Sequence, residues 1–223
     1  VTRGIVAAFS MVVSKIDPHY THEHVSRSAE YAGKIIAKLQ RMRVSLDGMP
    51  EEVLLALNQL AEGKPFMALG AFAVSGNGRY LAYSTDDTGY RDYLLQLKDL
   101  VTGELLPLRV PKASSVAWAA DDQTLFYVVD DEAKRPWQLY RHRIGTDQHQ
   151  LLREEQDEAF RLFVGLTRSR TFLVTSSDSH TTTEMHLLAS DQPLGTWRLV
   201  APRVQDQEYS LDHQGDRFVI RVN

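Results

Sequence analysis

Ala71-Phe-Ala-Val-Ser-Gly-Asn-Gly-Arg-Tyr-Leu-Ala-Tyr-Ser (residues 71–84) reads as a strand, a polar turn and a second strand. It decides the fold because it returns. Ser115-Val-Ala-Trp-Ala-Ala-Asp-Asp-Gln-Thr-Leu-Phe-Tyr-Val has the same form. So do Arg161-Leu-Phe-Val-Gly-Leu-Thr-Arg-Ser-Arg-Thr-Phe-Leu-Val and Glu208-Tyr-Ser-Leu-Asp-His-Gln-Gly-Asp-Arg-Phe-Val-Ile. Leu81, Leu125, Phe172 and Phe218 align at spacings of 44 to 47 residues, the period of a four-stranded propeller blade.

The first unit predicts strands over 71–75, 80–85, 93–100 and 105–110, with Val101-Thr-Gly-Glu as a hairpin turn. The second predicts 115–119, 124–129, 138–144 and 149–153, and the third 160–166, 171–176, 183–189 and 197–201. The fourth supplies only 209–212 and 217–222. The expected fold class is mainly β, a partial β-propeller of three and a half four-stranded antiparallel blades behind a short α-helical segment. The blades fall at roughly 70–110, 114–153, 160–201 and 208–223, the last incomplete.

Residues 1–43 have a different period. Ile5 to Ile16 is an apolar helical run closed by Asp17-Pro18. From Thr21, Val25, Ala29, Ala32, Ile36, Leu39 and Met42 recur at steps of three and four, one face of an amphipathic helix. Ser45-Leu-Asp-Gly-Met-Pro breaks that pattern, and residues 44–69 lead as a linker into the propeller at 70–223. Glu51 to Leu60 fits either a short helix or a strand, ended by Gly63-Lys-Pro.

At 223 residues the chain suits one large domain or two small ones. A net charge of -4 gives no basic stripe for nucleic acid. The charge is uneven, since residues 1–47 hold seven Lys/Arg against four Asp/Glu. With no cysteine there is no disulfide framework, thiolate site or cysteine nucleophile. No stretch reaches the ~18 apolar residues of a membrane span. Gly4 to Val13 has the length of a signal-peptide core, but Ser14-Lys-Ile-Asp turns polar at once with no small-x-small cleavage site.

Several stretches carry a further resemblance. They are Glu51-Glu-Val-Leu-Leu-Ala-Leu-Asn-Gln-Leu-Ala-Glu-Gly, Arg79-Tyr-Leu-Ala-Tyr-Ser-Thr-Asp and Lys98-Asp-Leu-Val-Thr-Gly-Glu. Leu125-Phe-Tyr-Val, Leu139-Tyr-Arg-His-Arg-Ile-Gly-Thr, Glu154-Glu-Gln-Asp-Glu-Ala-Phe and Glu208-Tyr-Ser-Leu-Asp-His-Gln-Gly-Asp-Arg-Phe continue it. From Ser45 to Asn223 the sequence resembles the propeller domain of the prolyl oligopeptidase family of serine peptidases, closest to its oligopeptidase B (protease II) branch. Ala56 and Gly76-Asn77 depart from the pattern, where an acidic residue and a proline-aspartate turn are usual.

The resemblance implies a seven-bladed propeller that restricts an α/β-hydrolase domain to short peptides, with cleavage after Lys or Arg. It also implies a cytoplasmic or, less often, periplasmic location. The triad of such enzymes belongs to the hydrolase half. No Gly-x-Ser-x-Gly elbow occurs in this sequence, so no serine is placed on a nucleophile turn. The expectation is therefore a fragment with no catalytic, cofactor-binding or metal residues and no cofactor. Its peptide substrate would be met through a hydrolase domain, and its open propeller edges would invite self-association.

Asp17-Pro-His-Tyr-Thr-His-Glu-His-Val-Ser-Arg-Ser-Ala-Glu-Tyr-Ala-Gly-Lys-Ile resembles the opening helix of HD-type phosphohydrolases, in which His24 would be the first metal ligand. The His-Asp dyad of that family is absent from the sequence. His19, His22 and His24, with Glu23 as the one carboxylate among them, are read as a solvated helix start. Gly76-Asn-Gly-Arg joins two strands and is a hairpin turn, because a phosphate loop would have to open a helix. The run Glu154, Glu155, Asp157, Glu158 reads as solvated inter-blade loop, with an acidic rim for basic peptides as the alternative. Trp118, Phe126, Tyr127 and Trp197 are expected in strands, packed between blades. Trp137, beside Pro136, is expected in a loop as a candidate contact for a partner domain.

Overall fold

The computed structural model describes residues 53–223. The helices expected over 1–43, His19, Glu23, His22 and His24, and the start of the linker lie outside the described residues. The chain divides into two compact units, residues 1–68 with 87–89, and residues 69–86 with 90–223. In the first, the short helix α1 (Leu57–Leu60) takes up the last four residues of the ambiguous 51–60 stretch. There Lys64 Nζ donates to Asp87 Oδ2 at 2.9 Å. Gly89, at φ +81°, lies under the Phe66 ring.

The second unit carries the repeat. Its first blade is β1 (Ala68–Val74), β2 (Tyr80–Asp86), β3 (Leu94–Asp99) and β4 (Leu105–Pro111), in that spatial order. The next blade is β5 (Ala113–Trp118), β6 (Thr124–Asp130), β7 (Pro136–Arg143) and β8 (His149–Glu154). In the third, β9 (Arg161–Leu166), β10 (Phe172–Asp178), β11 (Thr183–Ala189) and β12 (Arg198–Ala201) follow the same order. A two-stranded sheet, β13 (Tyr209–Gln214) and β14 (Arg217–Val222), begins the fourth. The pairs from β2 to β4 and all those of the later sheets are antiparallel. The partial propeller read from the sequence is what folds.

The second strand of each complete blade is the most buried. Along β6, Leu125 and Tyr127 join a cluster with Tyr80, Ala82, Leu95, Leu97 and Val110 of the first blade. Phe126 and Val128, one residue out of phase, join Leu162, Val164, Leu173 and Leu188 of the third. Alternate side chains leave opposite faces of a strand, and both faces of this sheet are covered. A continuous apolar run replaces the alternation of a half-solvated strand.

Polar bonds repeat at the blade period. Trp118 Nε1 donates to Ala73 O at 2.9 Å, 45 residues away. Asn77 N donates to Asp122 Oδ1 at 3.1 Å, also 45 away. Val164 N donates to Ser115 Oγ at 3.2 Å across 49 residues, and Arg168 N to Asp212 Oδ1 at 2.8 Å across 44. The departure at Gly76 has a local cause. A Cβ there would stand 2.9 Å from Asp122 Oδ1, so the turn accepts the next blade's carboxylate only without a side chain.

Two aromatic placements differ from expectation. Trp118, Phe126 and Tyr127 sit in strands and are buried. Trp197 packs edge-to-face on Phe126 at 5.7 Å, but from the loop before β12. Trp137 lies inside β7, because Pro136 begins that strand; a proline needs no ladder bond at the first position. The Arg135 guanidinium stands 5.8 Å over its ring.

Candidate functional site

In an antiparallel four-strand meander, the turn between the middle strands and the link to the next blade fall at the same end. At the third blade this end holds an open pocket of about 450 Å³. Asp157 to Arg161 of the β8–β9 link form one wall, Ser179 to Thr181 of the β10–β11 turn another, and Gln205 of the β12–β13 link a third. Its size is that of ordinary small-molecule and side-chain sites.

The link is shaped from the preceding blade. Arg135, in the β6–β7 turn, points Nη1 at the carbonyl oxygens of Glu155, Asp157 and Phe160 at 3.2, 3.1 and 3.3 Å. Its Nε donates to Asp131 Oδ2 at 3.0 Å, and Asp131 accepts from the turn's own N–H groups, which fixes the guanidinium. Asp157 Oδ1 accepts from Ala159 N at 2.9 Å and tightens the bend. Glu158 and Arg161 take no ion-pair partner among the described residues.

Under the link lies a charged knot. Glu155 is 3% exposed and forms a two-pronged pair with Arg203 of the β12–β13 link. Arg203 also stands 3.4 Å from Glu184 Oε2 and 3.9 Å over the Phe160 ring. Glu184 in turn holds Arg153 of β8. Burial pushes the Glu155 carboxyl up, but the Arg203 hydrogen bond and the Asp157 N–H outweigh it and leave it below its ordinary value.

The acidic run is thus split, and neither sequence reading describes all of it. Glu155 is an internal ion-pair partner. Glu154 accepts from Gln138 Nε2 at 2.8 Å and also from Gln156. Only Asp157 and Glu158 face the pocket. The partner of Glu155 lies 48 residues away, close to one blade period, and that spacing is the signal that could have located it. Gly76-Asn-Gly-Arg is the β1–β2 turn, with Gly78 at φ +74°, at the opposite end of its blade from the β2–β3 turn.

No triad forms among the described residues. Ser169 Oγ and His213 Nδ1 lie 2.8 Å apart, but no carboxylate orients that imidazole. Asp212 is taken by the N–H groups of Arg168 and His213. A nucleophile needs a base oriented by a third group, so this pair serves as a tie between the third blade and the fourth sheet. Among the described residues no three metal-ligating side chains cluster, and no helix is long and apolar enough to cross a membrane.

Residues 23–223 match the family described as prolyl oligopeptidase, N-terminal beta-propeller domain. Dipeptidyl aminopeptidase BI of Pseudoxanthomonas mexicana is 37% identical over 202 residues, covering 89% of this chain and 28% of that protein. Protease 2 of Moraxella lacunata is 37% identical over 186 residues, covering 81% and 27%. Oligopeptidase B from Leishmania major superposes with a TM-score of 0.73 at 28% identity, over 79% of this chain and 26% of that one. The chain therefore spans little more than a quarter of the relatives it matches.

Proposed function

This chain belongs to the prolyl oligopeptidase family, in its N-terminal β-propeller domain, and on that premise we propose that it is the substrate-gating portion of an oligopeptidase B-like serine peptidase. The whole protein would hydrolyse short peptides after Lys or Arg. The observation that supports this reading is the blade series itself: three complete blades and the start of a fourth, aligned with the peptidase propeller and without a nucleophile turn. Residues 1–223 alone would then have no peptidase activity, and the lack of cysteine suits a reducing cytoplasm.

The test is a fluorogenic dipeptide amide ending in Arg, incubated with the purified chain. The expected result is no turnover above a heat-treated blank. Turnover abolished by a serine-directed inhibitor would defeat the reading.

One feature favours a second reading, self-association. All six residues of β14 are exposed, including Phe218, Val219, Ile220 and Val222. Among the described residues nothing covers this apolar strand, and such an edge is a template for another strand. Light scattering after size exclusion discriminates: a dimer that Ile220→Lys returns to monomer supports it, and a concentration-independent monomer rejects it.

A further inference from the structure

The outer seam between the second and third blades closes on one imidazole. His186 stands on β11 with 19% of its side chain exposed. Arg153, on β8, brings Nη1 against His186 Nδ1 and within 3.2 Å of Nε2, while its Nη2 donates to Glu184. Because Nη1 lies close to both ring nitrogens, the guanidinium rests against the side of the imidazole and not on one lone pair. A guanidinium carries donors and positive charge, so the contact favours the neutral imidazole over the charged one.

The surrounding charges are unbalanced against a proton. From β8 comes Arg153, and from the β12–β13 link comes Arg203, which is already shared with Glu155. Among the described residues Glu184 of β11 is the carboxylate paired with the ring, with Oε1 at 3.9 Å from Nδ1. β8 is the outermost strand of its blade, and its first three residues are exposed. Its polar tie to the third blade passes through this knot, while Leu152 packs on the apolar cluster that both blades share.

We propose that His186 is an acid-sensitive latch, whose protonation releases β8 from β11 and opens the seam between the second and third blades. Once protonated, the ring is a cation that faces two guanidinium groups across one carboxylate. Burial and then Arg153 hold the imidazole below its ordinary value, with Glu184 opposing and Arg203 adding to the effect. Because the closed form binds the proton less tightly, the latch is fully stable above the free-imidazole pKa of about 6.5 and weakens as the pH falls below it. Opening should rise between roughly pH 7.5 and pH 5.5, by at most about tenfold. The proposal does not depend on the peptidase reading.

Hydrogen exchange of the full chain, read by mass spectrometry at those two pH values and corrected for intrinsic rates, tests it. The expected result is exchange faster by up to about tenfold in peptides spanning β8 and β11 at the lower pH, with β2 and β3 unchanged. His186→Gln should abolish the change, although it keeps His142 and His149 at the other end of β8. Equal protection at both pH values, or an undiminished increase in H186Q, overturns the proposal. Should H186Q not fold, an NMR titration of His186 in the unaltered chain decides. A ring that charges only as the β8 amides open supports the latch, and a charged ring under protected β8 amides overturns it.

Discussion

Replacing Trp118 probes the joint between the first two blades. The indole is 2% exposed and stacks on Tyr80 at 6.2 Å between ring centroids. Its Nε1 carries the bond to Ala73 O. Trp118→Ala removes the ring, worth about 3–5 kcal/mol in a core, and the hydrogen bond, worth about 1 kcal/mol net. Trp118→Phe keeps most of the packing and should cost about 2 kcal/mol, half from the bond and half from the smaller ring. Against a total stability of about 5–15 kcal/mol, the alanine variant loses a large share.

Urea unfolding followed by far-UV circular dichroism measures this, with the slope expected to stay constant. Trp197→Phe is the internal control, because that ring reaches Phe126 from a loop and should lose only about 1 kcal/mol. The reasoning fails if W118F unfolds at the wild-type midpoint. It also fails if W197F costs as much as W118A, because the ring's place between blades would then not matter.

Glu155→Gln leaves the Arg203 guanidinium without its buried counter-charge and should cost about 3 kcal/mol at neutral pH by urea titration. Glu155 sits below its ordinary value, so its stabilisation is present above the free-carboxylate range and is lost as the pH falls through the folded value. Acid-unfolding curves of wild type and E155Q should therefore converge at low pH. Gly76→Ala should cost about 1 kcal/mol by pushing away Asp122, and Asp122→Ala should remove most of that penalty in a double-mutant cycle. Arg135→Ala frees the carbonyls of Glu155, Asp157 and Phe160, and limited proteolysis should then cut the β8–β9 link while wild type is spared.

The blades were legible because each strand pair carries its own punctuation. Val101-Thr-Gly-Glu and Gly76-Asn-Gly-Arg are local turn chemistry, and β6 announces two covered faces by its unbroken apolar run. What was hidden depends on partners one blade away. Glu155 looks like its solvated neighbours until Arg203 is placed beside it. Trp137 reads as a loop residue because Pro136 precedes it, whereas a proline can open a strand. Trp197 fills the space beside Phe126 from outside any strand, a packing choice that periodicity does not encode. The pocket walls come from three links whose approach is set by the stacking of blades, so its outline had no local signature.

The central claim is that this chain forms the gate of a peptidase and does no hydrolysis itself. The direct measurement joins residues 1–223, in place of the matching segment, to the remainder of Moraxella lacunata Protease 2. Cleavage of a short Arg-containing peptide is then compared with cleavage of the same sequence inside a folded protein. The account predicts that the short peptide is cut and the folded protein is spared, with no activity from residues 1–223 alone. Equal cleavage of both substrates by the chimera, or hydrolysis by the isolated chain, would contradict it.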